Sequence, residues 1–267
     1  MARTQRGFTL IEVAVALAIV TMLLGAVLIP LQTQVENRKI EDTNQILDRA
    51  REALLGYAAT YGYFPCPATA ASLGMEPPLT PTERAEGKCN GSGPPPPPAF
   101  FVGYLPAALL GFSPVDEQGY ATDAWGGAPA HRIRYAVAYQ TVGGVTNPFT
   151  RPGGMATAGI PTFGANTALI HICRSGAGVT PGADCGTPAQ TLASNVVAVV
   201  WSAGQNALTG GTSVHEAENP NPNGGSVDNV FVTRTRVTSG ADEFDDQLLW
   251  ISGFVAVTRL IASGQLP

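Results

Sequence analysis

The chain has 267 residues, with 15 Lys+Arg, 20 Asp+Glu and four cysteines. That length can bury a sizeable core, as one large domain or as a domain plus an anchor. Charged residues make up only 13%, low for a soluble cytosolic enzyme, and a formal net charge of −5 gives no support to nucleic-acid binding as the main activity.

At the amino terminus, Arg3 and Arg6 precede Gly7, and a nearly unbroken apolar run extends from Val13 to Leu31. As a helix rising about 1.5 Å per residue, the run reaches roughly 28 Å, close to the ~30 Å hydrocarbon core of a bilayer. The two arginines should stay cytoplasmic and send the rest of the chain outward. A removable secretory signal wants an A-x-A-like site just past its apolar run, and Leu28-Ile29-Pro30-Leu31-Gln32-Thr33-Gln34 supplies none. An ordinary signal anchor has no use for Glu12, because a carboxylate at the centre of a span costs about 2.5–3.5 kcal/mol, less near its edge. Cleavage after Gly7 would give Glu12 a partner. The new α-amino group on Phe8 would lie one helical turn away, so the acid could meet its own amine or that of a neighbouring subunit.

Gly7-Phe8-Thr9-Leu10-Ile11-Glu12 resembles the cleavage signal of type IV prepilins and type II secretion pseudopilins. The resemblance covers the first thirty or so residues. It implies a membrane prepilin peptidase that cuts after Gly7 and methylates Phe8, and an assembly role for Glu12. It also places the family's helix-kinking proline at Pro30, shifted by one position. The partners it implies are other pilin or pseudopilin subunits, the peptidase and an inner-membrane assembly platform. The location it implies is single-pass in the bacterial inner membrane, with the carboxy-terminal domain periplasmic or on an extracellular filament.

Past Leu31 the chain turns polar but keeps helical spacing. Ile40, Leu47, Ala50, Leu54, Ala58 and Tyr61 recur mostly three or four apart, with charged residues between them. This predicts an amphipathic helix with one face on a core. No strong breaker appears before Gly62 and Pro65, so one helix is expected from about Phe8 to Tyr61, on the order of 80 Å long. The domains expected are a leader at 1–7, a transmembrane or filament-core helix at 8–31, its amphipathic half at 32–62, and an extracytoplasmic α+β domain at 63–267.

That domain opens loop-rich, and the run Pro94–Pro98 predicts an exposed polyproline II segment. His131–Tyr139 alternates, with Ile133, Tyr135, Val137 and Tyr139 on one face. Ala168–Cys173, Val196–Ser202, Val230–Arg236 and Leu248–Ser252 are further strand candidates. Ser252 should cap a last short helix that stops at Gly264. The expected fold class is α+β: one long amino-terminal helix, half of it transmembrane, packed on an antiparallel sheet with long disulfide-stapled loops. Three internal stretches resemble type II pseudopilins. They are Thr122-Asp123-Ala124-Trp125-Gly126-Gly127-Ala128-Pro129 followed by Arg134-Tyr135, then Ser202-Ala203-Gly204-Gln205-Asn206, then Glu243-Phe244-Asp245-Asp246-Gln247-Leu248-Leu249-Trp250. Ala124 stands where that family usually has proline. The domain is also larger than a typical major pseudopilin, with extra sequence between Cys66 and Gly103 and between Thr141 and Thr167.

All four cysteines follow the apolar run, on the oxidising side. Four allow three pairings. The local pairings Cys66–Cys89 and Cys173–Cys185 are expected, because each staples a Gly/Pro-rich loop and is worth roughly 3 kcal/mol by chain entropy. Zinc is the alternative, but no C-x-x-C is present.

No enzymatic signature emerges. His131, His171 and His215 are scattered. His215-Glu216-Ala217-Glu218-Asn219 lacks the second histidine of a zinc-protease helix, and Ser202 lacks the first glycine of a nucleophile elbow. The acids Asp242, Glu243, Asp245 and Asp246 read as a solvated turn or as a calcium site. Major pseudopilins bind calcium near the corresponding acids, which makes Asp245 and Asp246 the candidates, although a long insertion interrupts the supporting loop. The expected function is a structural subunit of a type II secretion pseudopilus or type IV pilus. The alternative is a membrane-tethered adhesin or substrate-binding protein with a pilin-type leader.

Overall fold

The computed structural model describes residues 9–89, 100–127, 129–159, 169–179, 184–222 and 228–266, except for the side chains at 24 and 26–30. Gly7, Phe8 and the Pro94–Pro98 run lie outside these residues. The chain divides into two compact units, residues 1–42 and 43–267.

Helix α1 (Leu10–Tyr61) supplies the first unit and the opening element of the second. Its sequence holds no run of β-branched residues long enough to oppose helix, and it ends at Gly62, whose φ of +79° suits glycine. In the first unit most of the described large apolar side chains stand in the open: Leu10 is 92% exposed and Met22 80%. Among the described residues no helix is long and apolar enough to cross a membrane. Seven side chains of the expected 8–31 span, at 8, 24 and 26–30, are outside that description.

In the second unit, Leu47, Ala50, Leu54, Leu55 and Ala58 of α1 are buried in one hydrophobic core with the sheet. Their three- and four-residue spacing is the stripe that faces it. Tyr61 departs from the expected pattern. It is 56% exposed and stacks with Tyr57 at 4.4 Å between ring centroids.

The sheet is built from β1 (Phe100–Tyr104), β2 (Arg134–Ala138), β5 (Ile170–Cys173), β6 (Thr191–Ser202), β7 (Val230–Val232) and β8 (Gln247–Ser252). A separate hairpin joins β3 (Thr141–Val142) to β4 (Val145–Thr146). The spatial order is β1-β2-β6-β5-β7, with β8 also paired to β6. The long strand β6 is the spine: Val199 pairs with both Ala136 and Trp250, and Val196 with both Ile170 and Ser252. Twelve residues give it room for three neighbours, so its reach from Thr191 extends beyond the expected Val196 start.

The sheet is mixed, which corrects the antiparallel expectation. β7 runs parallel to β5, with His171 opposite Val230 and Cys173 opposite Val232. The chain leaves β6 at its far end, and the long 203–229 connection carries it to the outer flank of β5, where it enters in β5's own direction. A tight hairpin could not do this. The strand after His131 also differs from its reading. Ala136 and Ala138 are buried along with Tyr135 and Val137, so both faces of this strand are covered.

Two short helices, α2 (Pro81–Glu86) and α3 (Gly154–Ala158), lie in the loops, and α4 (Gly253–Ala262) closes the fold. Ser252 caps α4 by accepting a hydrogen bond from the Val255 N–H. Arg259 of α4 meets Glu52 of α1 at 2.6 Å, and Gln265 donates to the Thr60 carbonyl, so the carboxy terminus is tied back to the first helix.

Cys66 is bonded to Cys89 and Cys173 to Cys185, with Cα–Cα distances of 5.3 and 5.4 Å. The first loop is held further by the Arg84–Glu76 ion pair at 2.6 Å and by the Glu76 carboxylate, which accepts from the Cys66 N–H. Peptide mapping without reductant should recover both pairs. Cys173→Ser with Cys185→Ser is expected to cost about 2–4 kcal/mol and to open that loop to proteases. Four free thiols in protein prepared without reductant would contradict this.

Candidate functional site

The amino-terminal site is built on the first turn of α1. Glu12 accepts hydrogen bonds from the Thr9 N–H at 2.8 Å and the Thr9 hydroxyl at 2.9 Å, while the Glu12 N–H donates to the Thr9 oxygen at 3.3 Å. This is a capping box, which satisfies donors that a helix start leaves orphaned. The sequence carried its signal, Thr9-Leu10-Ile11-Glu12, but the reading of Glu12 as a partner for an amine passed over it. The carboxylate therefore has a local role before any cleavage. Gly7 and Phe8, the expected processing residues, lie outside the described residues.

Comparison with known protein families finds a match over residues 2–28. Those residues carry a prokaryotic N-terminal methylation motif. This is the signal of type IV prepilins and pseudopilins. No curated protein and no solved structure is significantly similar to the chain. The methylation motif thus joins directly to a 52-residue helix, and Glu12 sits inside both.

The domain downstream of the methylation motif holds a second arrangement. The three internal stretches that resemble pseudopilins meet in space. Ser202 ends β6 and donates to Asp123 at 2.5 Å, while the Trp125 N–H donates to the same carboxylate. Gly204 turns the chain at φ +67°, where a Cβ would collide with Asp245. The Asn206 N–H then donates to Asp245 at 3.1 Å. Asp123 is buried, and burial raises its carboxyl above the usual range against the pull of these donors. His131 Nδ1 stands 3.4 Å from Asp123 without a hydrogen bond. The acid therefore lies between serine and histidine. A nucleophilic triad needs the histidine between the other two, so this trio ties loops together and leaves Ser202 unactivated.

Beside it, Glu216, Asp245 and Asp246 place carboxylate oxygens within 4.8 Å of one another. Glu216 is 1% exposed and Asp246 7%. Of the four acids expected to form a solvated turn or a calcium site, Asp246 is buried and Asp245 half-buried beside Glu216, while Asp242 is exposed, and Glu216 is the member that sequence reasoning missed. Its neighbours in sequence, His215-Glu216-Ala217-Glu218-Asn219, carry no sign of the cluster, and only the fold brings it beside the carboxy-terminal acids. Glu216 accepts from the Asp245 N–H at 2.8 Å and the Gly211 N–H at 3.0 Å. Asp246 accepts from Asn219 at 2.7 Å, and Asn219 in turn pairs with the backbone of Val232 on β7. Burial and the nearby Glu216 charge raise Asp245 to about 7, and burial raises Asp246 well above the carboxylate range.

Three carboxylates so close repel one another unless protons or a cation intervene. Asp245 Oδ1 and Asn206 Oδ1 are buried without a hydrogen-bond partner. An all-oxygen donor set with two uncommitted oxygens fits a hard divalent cation such as calcium, which takes six to eight oxygen ligands. Glu216, Asp245, Asp246 and the Asn206 carbonyl oxygen are the residues that would hold it.

Proposed function

We propose that this chain is a structural subunit of a type II secretion pseudopilus or a type IV pilus, cut after Gly7 and assembled through its amino-terminal helix. The observation that carries the reading is the methylation motif running without a break into an exposed apolar helix. Side chains such as Leu10, Ile11, Leu17 and Met22 have no cover within the chain. Buried against lipid or other subunits, each would gain about 1.5–3 kcal/mol. In this reading the Val13–Leu31 run holds the chain in the inner membrane before assembly. The work of the protein is mechanical and no catalysis is assigned to it. The domain presents its loops to partner subunits or cargo, and calcium at the Glu216–Asp245–Asp246 cluster steadies the loops that meet there.

The processing step is tested by amino-terminal mass spectrometry on membrane-extracted protein. The mature chain should begin at N-methyl-Phe8. Gly7→Leu should leave full-length precursor in the inner membrane, because a bulky side chain replaces the hydrogen at the cleavage position. A mature chain beginning beyond Leu31 would identify the run as an ordinary signal peptide. A correctly processed protein whose deletion leaves filaments intact, and whose domain binds a defined ligand, would favour the tethered adhesin.

A further inference from the structure

On the side of the sheet where β5 and β7 end, a cleft of about 780 Å³ is lined by Arg174, Gln190, Leu192, His215, Thr233, Arg234 and neighbouring residues. That volume lies in the range of clefts that hold drug-sized ligands or a few residues of peptide. The parallel register sets its charge. Cys173 lies opposite Val232, so the residues just past each strand, Arg174 on one side and Thr233 with Arg234 on the other, emerge together. The Cys173–Cys185 bridge fixes this end of β5.

Neither guanidinium makes an ion pair or side-chain hydrogen bond among the described residues. This is unusual in a chain with more acids than bases. The carboxylate in the cleft wall, Asp242, is engaged elsewhere, 3.2 Å from His215 Nε2. His215 Nδ1 in turn accepts from the Gly176 N–H at 3.1 Å. The wall therefore has two uncommitted guanidiniums and hydroxyls on Ser175, Thr233 and Thr235. It also has an orphaned acceptor, because the Gln190 side-chain oxygen is buried without a hydrogen-bond partner.

We infer that this cleft is a binding site for a short acidic peptide segment of another protein, in which Arg174 and Arg234 each take a carboxylate and Gln190 accepts a peptide N–H. The guanidinium fork matches a carboxylate with two parallel hydrogen bonds. A free dicarboxylic acid or inorganic phosphate would satisfy the arginines, but neither brings an N–H donor to Gln190. The peptide alone answers all three groups. This inference does not depend on how the amino terminus is processed or assembled.

The test uses the full chain in zwitterionic detergent and a fluorescent acetyl-Gly-Glu-Glu-Gly-amide probe, followed by anisotropy. Saturable binding is expected, weakened roughly tenfold by Arg174→Gln or by Arg234→Gln and removed by the double variant. Arg174→Lys with Arg234→Lys should fall between, since charge is kept and the planar fork is lost. The matching Gly-Gln-Gln-Gly probe should not bind, and Gln190→Ala should weaken the acidic peptide while leaving competition by succinate unchanged. Circular dichroism of the double Gln variant checks that the fold persists. No saturation, binding unchanged in the double Gln variant, or displacement by phosphate at concentrations equal to unlabelled peptide would each overturn the proposal.

Discussion

Glu12→Leu is expected to insert into the membrane and be cleaved normally, and to fail in assembly. Removing a charge from the edge of an apolar span favours insertion. In the proposed reading cleavage is set by Gly7, so it should largely persist. After cleavage, the α-amino group of Phe8 would enter a low-dielectric helix bundle with no carboxylate to meet it. Losing one partner of a buried ion pair typically costs about 3–5 kcal/mol, a shift of more than a hundredfold in an assembly equilibrium. The capping box adds a second role for the same side chain, and further variants separate the two. Glu12→Gln keeps a residue able to cap and loses only the charge, so it too should fail to assemble. Thr9→Ala loses the cap and keeps the charge. It should cost about 1 kcal/mol of helix stability and assemble to near the normal level. Crosslinking to filament subunits at equal membrane abundance gives the readout. A Glu12→Gln protein that assembles like the parent would show that the charge has no part in docking, and the tethered-domain reading would then gain.

Calcium is expected to raise the melting temperature of the domain, and to raise it more at pH 8 than at pH 5. The sign follows from the buried acids. Asp245 is raised to about 7 and Asp246 well above its ordinary value, so the folded state holds protons that the unfolded chain releases near pH 4. For acids raised in this way, the stability is full below the unfolded value and declines as pH rises through the folded one. Without calcium the domain should therefore melt at lower temperature as pH moves from 5 to 8. A divalent cation replaces those protons and removes the repulsion. At a hundredfold excess over its dissociation constant it would add about 2.7 kcal/mol. For a domain of this size that is roughly 5–10 °C. Chelator should reverse the gain, and Glu216→Gln should abolish it. A melting curve that ignores calcium at pH 8 would assign the cluster to hydrogen bonding alone.

The sequence by itself determined the amino-terminal helix of this protein and several local features beyond it. The methylation motif, the long helix ending at Tyr61, the Leu47–Ala58 core stripe and the Ser252 cap are local in sequence. Their physics is also local: periodicity, capping and the absence of breakers act within a few residues. The approximate positions of β2, β5, β6, β7 and β8 were legible for the same reason, whereas β1 was not, and the Val230–Arg236 run forms a strand only over Val230–Val232. Tertiary structure alone decided how the strands pair. The direction of β7 in the sheet depends on its lying against β5 and not against β6, and no periodicity within three residues encodes that. The 203–229 connection carries Glu216 beside Asp245 and Asp246. It therefore joins Glu216 to the two carboxy-terminal acids in one largely buried cluster. Burial is a property of what the rest of the chain places overhead, and so are the raised carboxyls and the two unpaired arginines at the ends of β5 and β7.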